Sequence, residues 1–190
     1  MRNRVPTPAD KTESVPDPLP QSLAPLPFRV GFGYDVHRLA INRRLVIGGV
    51  EIPNDRGLDG HSDADVLVHA MMDSILGALN LGDIGQHFPV EDPRFKDADS
   101  LNLLTQVGAL MRQHGYLLGN CDAVVVAERP RLQPYVSTMR CRLAPCLAVS
   151  PDRISIKATT NEKVGFIGRN EGIAAMSTVL LVAAEQERQP

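Results

Sequence analysis

Apolar and polar residues alternate from Phe28 to Tyr34, and this period of two predicts a β-strand. A second apolar run over 45–52 is divided by Gly48 and Gly49. Paired glycines between short apolar runs are typical of a tight turn, so this segment predicts two short strands joined at the glycines. On this interpretation Asp35 and His37 lie at the end of the first strand, which leads into a loop.

Three later runs also predict strands. The β-branched run over 121–127 predicts a buried strand, and the alternating run over 154–158 predicts a short one. The apolar run over 173–184 fits either a strand or a helix by periodicity alone. Its Gly-rich flanks and its Ser, Thr and Val content favour a strand.

Three segments have helical periodicity. The apolar positions of 64–80 cover one broad helix face, and a second helix is predicted from Asp99-Ser100 to about His114, with Gly115 at its C-terminal cap. A third helix is predicted from about residue 133 or 134 to residue 148, disturbed at Pro145. The segments 81–93 and 165–172 are rich in Gly or Pro and predict loops.

The order of these elements predicts a fold of the α/β (α+β) class. We expect a two-layer sandwich in which a mixed β-sheet carries the helices on one face. Residues 28–186 form its single domain, and residues 1–27, which contain seven prolines and no apolar periodicity, form a disordered tail.

Composition narrows the class of protein. Hydrophobic residues make up 43% and charged residues 22% of the chain, the balance of a soluble globular protein. The formal net charge is −2 and basic residues do not cluster, which excludes a nucleic-acid surface. The apolar run over 173–184 is shorter than the roughly 20 residues that a membrane-spanning helix needs.

The cysteines and the amino-terminal segment bear on the compartment. Three cysteines without CxxC spacing predict reduced thiols that serve as small core residues. The first 27 residues lack the apolar region of a secretory signal, and Asp10, Glu13 and Asp17 argue against a transit peptide. We therefore expect a cytoplasmic, bacterial protein rather than one of a plastid-type organelle.

Candidate metal ligands lie in two segments. Asp35 and His37 are two residues apart in or beside the first strand, so their side chains point to the same side. In the helix that follows, Asp63 is a plausible N-cap, and Asp65, His69 and Asp73 lie on one stripe at intervals of four.

His69 can therefore be a third ligand beside Asp35 and His37. One carboxylate and two imidazoles suit zinc or a similar divalent ion, and three protein ligands leave a position open for substrate. On spacing alone, the alternative of ordinary polar histidines remains.

Five motifs occur in order along the chain: GYDVHR (33–38), GHSDADVLVHA (60–70), LGDIGxxFP (81–89), KATTNEKxGF (157–166) and GRxEGI (168–173). With these motifs the chain resembles the 2-C-methyl-D-erythritol 2,4-cyclodiphosphate synthase family of the non-mevalonate isoprenoid pathway. The resemblance extends from Phe28 to Ala184.

The resemblance implies a phosphorus–oxygen lyase. Its substrate would be 4-diphosphocytidyl-2-C-methyl-D-erythritol 2-phosphate, and its products 2-C-methyl-D-erythritol 2,4-cyclodiphosphate and CMP. It also implies Zn²⁺ or a similar metal at Asp35, His37 and His69, and Mg²⁺ or Mn²⁺ at Glu162 bridging the diphosphate. The family is homotrimeric, with its sheets facing a central axis and its active sites between subunits.

By the same resemblance, His61 and Thr160 are the catalytic residues that stabilise the reacting phosphate. The implied substrate contacts number twenty-five and comprise Asp35, His37, His61, Ser62, Asp83, Ile84, Gly85, Phe88, Pro89, Val90, Glu91, Asp92, Ala127, Glu128, Arg129, Pro130, Arg131, Leu132, Gln133, Thr159, Thr160, Asn161, Glu162, Phe166 and Arg169.

The chain departs from the family pattern at a few positions. Val90 stands where the family often has an aspartate, which puts a hydrogen bond to the erythritol hydroxyls in doubt. Met176 stands where some members have a glutamate, so a polar pairing with Arg169 would be missing. Glu128 and Arg131 replace the frequent Gln and Lys, in a loop expected to hold cytosine mainly through backbone groups.

Two further histidines, His87 and His114, match no motif of the family and are expected to be solvated.

Overall fold

The computed structural model describes residues 27–184. The predicted tail over 1–27, apart from its last residue, and the last two residues of the predicted domain over 28–186 lie outside this part of the chain.

A five-stranded mixed sheet runs through the described part of the chain, in the order β4-β1-β7-β5-β6. Parallel pairing occurs between β5 and β6, and the other three pairs are antiparallel. A separate antiparallel pair, β2 and β3, turns at Gly48-Gly49 as predicted. The strands are β1 (Phe28–Ile41), β2 (Leu45–Ile47), β3 (Val50–Ile52), β4 (Arg56–Leu58), β5 (Tyr116–Val126), β6 (Ile154–Thr159) and β7 (Gly172–Ala183).

The first strand is twice as long as the alternating pattern predicts. It continues to Ile41 because it pairs with β7 as far as Arg38 and then with β4. Asp35 and His37 therefore lie within the strand, and the expectation that the chain enters a loop directly after them is wrong, because the strand continues to Ile41. Polar residues interrupt the apolar alternation here, whereas the hydrogen bonds to the neighbouring strands do not depend on side-chain polarity.

The last strand confirms the choice of strand over helix for 173–184. β7 lies between β1 and β5 and pairs with both along most of its length. The first four residues of β7 are all buried, and beyond them buried residues alternate with half-buried or exposed ones, so its apolar run extends past the part that is buried on both faces.

The three predicted long helices are confirmed as α1, α3 and α4. Two segments predicted as loops contain one-turn helices, α2 and α5, and α4 continues through Pro145. The helices are α1 (Val66–Leu79), α2 (Ile84–His87), α3 (Ser100–Gln113), α4 (Val136–Leu147) and α5 (Gly165–Gly168), with 3₁₀ turns at Pro93–Phe95, Gln133–Tyr135 and Pro151–Arg153.

The helix cap predicted at Asp63 is wrong. Asp65 caps α1 by accepting a hydrogen bond from the backbone N–H of Val68. Its carboxylate also accepts bonds from the backbone N–H groups of Gly48 (2.9 Å) and Gly49 (2.6 Å). The fully buried Asp65 thus ties α1 to the β2–β3 turn.

Helix α1 packs directly on β1 at two glycines. A Cβ atom at Gly31 would lie 1.8 Å from the backbone oxygen of Ser74, and one at Gly33 would lie 2.1 Å from that of Ala70. Only glycine permits this approach. Asp35 and His37 follow at the same period and lie on the same side of the strand, facing α1.

The opposite side of β1 is exposed and apolar. Along it, Val30 and Phe32 are each 63% exposed. The exposed apolar side chains of this strand, which we call the open face, are Phe28, Val30, Phe32, Tyr34 and Val36.

The cysteines do not all occupy the core. All three are free thiols, but only Cys121 is buried, whereas Cys141 is exposed and Cys146 is half-buried. Burial raises the pKa of the Cys121 thiol to about 11.

Among residues 27–184, no helix combines the length and the apolar character that crossing a membrane requires.

Candidate active site

Strand β1 and helix α1 bring three predicted ligand residues together. Oδ2 of Asp35 lies 2.9 Å from Nε2 of His37 and 3.0 Å from Nδ1 of His69. The two imidazole nitrogens are 3.1 Å apart. Asp35, His37 and His69, which we call the triad, thus direct three donor atoms at one point.

The triad's own contacts control its protonation. Burial favours the neutral form of Asp35, but its interactions with the imidazoles of His37 and His69 outweigh burial and hold the pKa of this carboxyl well below its ordinary value. Burial alone would lower the pKa of His37, yet the bond to Asp35 raises it. Asp35 is therefore an anion ready to bind a cation.

The donor set fits a divalent ion. Tetrahedral zinc with nitrogen and oxygen ligands at about 2.1 Å holds its ligand atoms about 3.4 Å apart. The three atoms of the triad are 2.9–3.1 Å apart. They need to separate by only a few tenths of an ångström to admit the ion.

Each imidazole also has a partner on its other nitrogen. Nδ1 of His37 lies 2.8 Å from the backbone oxygen of Asp59, to which it donates, so its Nε2 is free to bind an ion. Nε2 of His69 lies 3.2 Å from the hydroxyl of Ser62 and 3.1 Å from that of Ser100.

Arg43 fixes the loop that carries His61 and Ser62. Its guanidinium donates to the backbone oxygens of Leu58 (3.1 Å), Gly60 (3.0 Å) and Ser62 (2.9 Å). Three bonds from one rigid planar group hold this loop beside the triad.

A cavity of about 190 Å³ adjoins the triad. Nε2 of His61 is buried beside it without a hydrogen-bond partner, and in the part of the chain that the structure describes no other buried side-chain nitrogen or oxygen lacks one. A buried polar atom of this kind needs a partner, and a bound ligand can supply it. The cavity is lined by Asp35, His37, His61, Ser62, His69, Met72, Ile84, Gly85, Phe88, Val90, Phe95 and Leu103.

A second, larger cavity of about 500 Å³ lies between a loop and the end of a strand. One side is the loop 127–133, and the other is the end of β6 at Thr159 with Thr160, which follows the strand. This second cavity and the cavity beside the triad have no lining residue in common.

The remaining predicted substrate residues line neither cavity. Asp83 accepts from the backbone N–H of Gln86 as the cap of α2, and Asp92 pairs with Arg94. The predicted substrate residues that line neither cavity are Asp83, Pro89, Glu91, Asp92, Asn161, Glu162, Phe166 and Arg169.

Arg169 forms an ion pair with Glu171 at 2.7 Å, which takes the place of the pairing that Met176 cannot provide. Met176 itself is half-buried in the sheet.

The stripe predicted on α1 is only partly correct. Asp65 precedes the helix and faces Gly48 and Gly49, so helical periodicity does not apply to it. Asp73 accepts a hydrogen bond from the backbone N–H of Ile84.

The two histidines that match no motif differ in their exposure to solvent. His114 is exposed as expected, whereas His87 is half-buried and bonds through Nε2 to the backbone oxygen of Leu81 (2.9 Å).

No pattern in the sequence indicated the roles that Arg43, Asp63 and Ser100 have around the triad. Arg43 lies in a polar turn and Ser100 at a helix start, positions at which such residues are ordinary. Arg43 bonds to backbone oxygens 15 to 19 positions away, and Ser100 contacts His69 and Asp63 from 31 and 37 positions away, so only the folded chain brings them together.

Comparison with known proteins places this geometry in a family. The sequence model of the YgbB family matches residues 28–182. The 2-C-methyl-D-erythritol 2,4-cyclodiphosphate synthase of Synechococcus elongatus is 59% identical over 155 residues, which cover 82% of this chain and 97% of that protein. The synthase of Geobacter metallireducens is 60% identical over 153 residues, covering 80% and 98% respectively.

Solved structures agree with this fold. IspF of Plasmodium falciparum, in a CDP complex, has a TM-score of 0.74 and 32% identity, covering 83% of this chain and 97% of that one. The bifunctional IspDF of Campylobacter jejuni has a TM-score of 0.79 and 45% identity over 82% of this chain. This chain spans only 42% of the bifunctional protein.

Proposed function

The chain belongs to the YgbB family, and from this we infer that it converts 4-diphosphocytidyl-2-C-methyl-D-erythritol 2-phosphate to 2-C-methyl-D-erythritol 2,4-cyclodiphosphate and CMP. It is a cyclising lyase of isoprenoid biosynthesis. The observation that carries the assignment to this site is the convergence of the triad beside the unpartnered nitrogen of His61.

The reaction is an intramolecular phosphoryl transfer. An oxygen of the 2-phosphate attacks the diphosphate phosphorus attached to methylerythritol, and one new P–O bond forms. The P–O bond to the cytidylate phosphate breaks, and CMP leaves with the bonding electron pair. Nothing is oxidised or reduced and no covalent enzyme intermediate is needed, so the protein contributes alignment and charge stabilisation.

Asp35, His37 and His69 would hold a divalent ion, which we propose is zinc. When bound, such an ion draws charge from a phosphate oxygen and fixes its orientation. Asp35 contributes negative charge to the site, while the bond from His37 to Asp59 keeps the ligating nitrogen of His37 aimed at the triad.

We propose that His61 and Thr160 contact the reacting phosphate. His61 lines the cavity beside the triad, and its buried Nε2 has no hydrogen-bond partner. Thr160 lines the second cavity, and its hydroxyl donates to Glu162 at 2.8 Å. Arg169 would add a fixed positive charge.

Glu162 is the proposed ligand of Mg²⁺ or Mn²⁺. Its exposed carboxylate follows β6 next to Thr160, with one oxygen bonded to the Thr160 hydroxyl. Hard divalent cations prefer carboxylate and phosphate oxygens, so Glu162 would hold the ion, which would neutralise negative charge on the diphosphate.

The second cavity is the proposed cytidine site, and the predicted contacts of 127–133 and Thr159 belong to it. A pocket of about 500 Å³ is within the size range of small-molecule sites. The proposed contacts at Ile84, Gly85, Phe88 and Val90 line the cavity beside the triad instead.

We propose a homotrimer in which the helices form one layer and the open face of the sheet meets neighbouring subunits. Contiguous exposed apolar surface indicates an interaction site, and the open face supplies it along β1. The two cavities of one chain are separate, and each would be completed by a neighbouring chain. Bacterial relatives support a cytoplasmic location.

Phosphorus NMR of the complete reaction tests the function. The purified protein with substrate, Zn²⁺ and Mg²⁺ should yield the cyclic diphosphate and CMP in equal amounts, and a chelator should abolish both. A linear phosphate product without the cyclic one would identify a phosphohydrolase and contradict the assignment.

Light scattering after size exclusion tests the assembly. The wild-type protein should give about three times the chain mass of 20.7 kDa. Phe32→Asp, which places a charge on the open face, should lower the mass to that of one chain. A wild-type monomer would refute the trimer.

A further inference from the structure

The far side of His69 faces two buried hydroxyls, those of Ser62 and Ser100. Both serines are buried, and Ser100 is fully buried. A hydroxyl can either donate or accept a hydrogen bond. These two contacts therefore do not by themselves decide which nitrogen of His69 carries the proton.

Asp63 removes this ambiguity for one of the hydroxyls. Its Oδ1 lies 2.5 Å from the hydroxyl of Ser100, and its Oδ2 accepts from the Ser100 backbone N–H at 3.1 Å. An ionised carboxylate only accepts hydrogen bonds, so the Ser100 hydroxyl must donate to Asp63. Its oxygen is then left to accept from Nε2–H of His69.

The direction of these bonds has a consequence at the other end of the ring. With its proton on Nε2, a neutral His69 presents a lone pair at Nδ1, the atom that lies 3.0 Å from Asp35 and 3.1 Å from His37. We propose that Asp63 and Ser100 are positioning residues that hold His69 in the tautomer and orientation that bind the metal.

The surrounding backbone holds this chain of contacts together. The backbone N–H of Asp63 donates to the backbone oxygen of Ala98 (3.1 Å), and the backbone N–H of Asp97 donates to the backbone oxygen of His61 (2.8 Å). These two backbone hydrogen bonds hold the segment 61–63 against the segment 97–98, next to the contact between the side chains of Asp63 and Ser100. Ser62 does not replace Ser100, because its hydroxyl has no carboxylate partner that would fix its direction.

This inference rests on the proposed metal site, and zinc affinity is its natural measure. Outer partners of metal-bound histidines typically change metal affinity 10- to 100-fold. We expect Asp63→Asn and Ser100→Ala each to weaken zinc binding about tenfold. An asparagine can donate to the Ser100 hydroxyl and so reverse the direction of its hydrogen bonds, and an alanine at position 100 removes the acceptor for Nε2–H of His69.

The experiment is a double-mutant cycle on the full chain. Zinc dissociation constants are measured by competition with a chromophoric chelator for the wild type, Asp63→Asn, Ser100→Ala and the double variant, with circular dichroism as the check of folding. Asp99→Asn is the matched control, because Asp99 is the neighbouring acid at the start of α3 and caps it through Leu101. Its zinc affinity should stay within twofold of the wild type.

The cycle shows whether Asp63 affects zinc binding through Ser100 or independently of it. If Asp63 acts through Ser100, adding Asp63→Asn to Ser100→Ala should cause no further loss. Losses that multiply would show that Asp63 acts by its charge alone or by stabilising the fold, and would overturn the proposal. Unchanged affinity in folded single variants would overturn it too, whereas a wild type that binds no zinc would refute the metal site itself.

A second measurement does not depend on the variants. In the zinc-loaded wild type, NMR should detect a ring proton on Nε2 of His69, protected from exchange and close to Ser100. Detection of that proton on Nδ1 would overturn the proposal.

Discussion

A side-chain oxygen of Glu128 lies 3.0 Å from the backbone nitrogen of Lys163, and the same oxygen accepts from the backbone N–H of Asn161 at 3.0 Å. This carboxylate joins the 127–133 loop to the turn after β6. Glu162 and Lys163 there have positive φ values of 50° and 63°, which cost non-glycine residues energy. Glu128 therefore stabilises a strained turn that carries Thr160 and Glu162.

We predict that Glu128→Ala weakens CDP binding roughly tenfold, because two hydrogen bonds to a charged acceptor are lost and the turn becomes less ordered. Isothermal titration calorimetry with CDP measures the change. Glu128→Gln retains an oxygen that can accept both bonds and should stay within about threefold of the wild type. Equal affinities for the alanine variant and the wild type would show that the turn holds its shape without Glu128.

Glu162→Gln should retain zinc but require more magnesium for activity. The substitution removes the charge of the proposed Mg²⁺ ligand and changes its volume little. Turnover is measured against magnesium concentration, with Glu51→Gln as the control, since Glu51 pairs with Arg44 on the surface. An unchanged magnesium dependence would exclude Glu162 as the ligand.

His69→Ala should bind less than a tenth of an equivalent of zinc and lose nearly all activity while remaining folded, because two ligands of the triad hold the metal poorly. Elemental analysis of the dialysed protein gives the zinc content. His114→Ala removes an exposed histidine that bonds only within its own helix, and should keep full zinc content. Stoichiometric zinc in folded His69→Ala would contradict the assignment of this ligand.

The buried carboxyl of Asp65 should make stability depend on pH. Burial raises its pKa from 3.8 to about 6, against the lowering effect of the Gly49 and Gly48 N–H groups, while the charge of Asp63 raises it further. The folded state therefore takes up a proton between pH 6 and pH 4 that the unfolded state does not, so this group stabilises the fold at low pH and the stabilisation is lost as pH rises through 6.

Urea unfolding with a chelator present measures this effect. Between pH 5 and pH 7.5 the free energy of unfolding of the wild type should fall by roughly 1 kcal/mol more than that of Asp65→Asn, which cannot titrate. Parallel pH profiles for the two proteins would show that the pKa of Asp65 is not raised.

The close approach of α1 and β1 predicts opposite effects of two Gly→Ala substitutions. Gly33→Ala should cost about 3 kcal/mol or more in the free energy of unfolding, because its Cβ would meet the backbone of α1. Gly77→Ala, within α1 where a Cβ has space, should stabilise by about 0.5–1 kcal/mol. Chemical denaturation of both variants measures the difference, and similar values would refute the packing at Gly33.

The sequence by itself determined the main elements and the three candidate ligands of the metal site. Periods of two and 3.6 identified the main strands and helices, because core-facing side chains in each must be apolar at those intervals. The two-residue spacing of Asp35 and His37 placed both on one side of the chain, whether or not the strand extended to them. The helix contributed His69, and these short-range relations hold without knowledge of the neighbours.

Only the tertiary structure decided which partners surround those residues. Asp65 caps α1 and bonds the Gly48-Gly49 turn, and the Asp63 carboxylate accepts from the hydroxyl of Ser100, which is 37 positions further along the chain. The length of β1 was likewise set by backbone hydrogen bonds to β4 and β7. Side-chain periodicity does not report such contacts, because they arise from groups that are distant in sequence and meet only when the chain is folded.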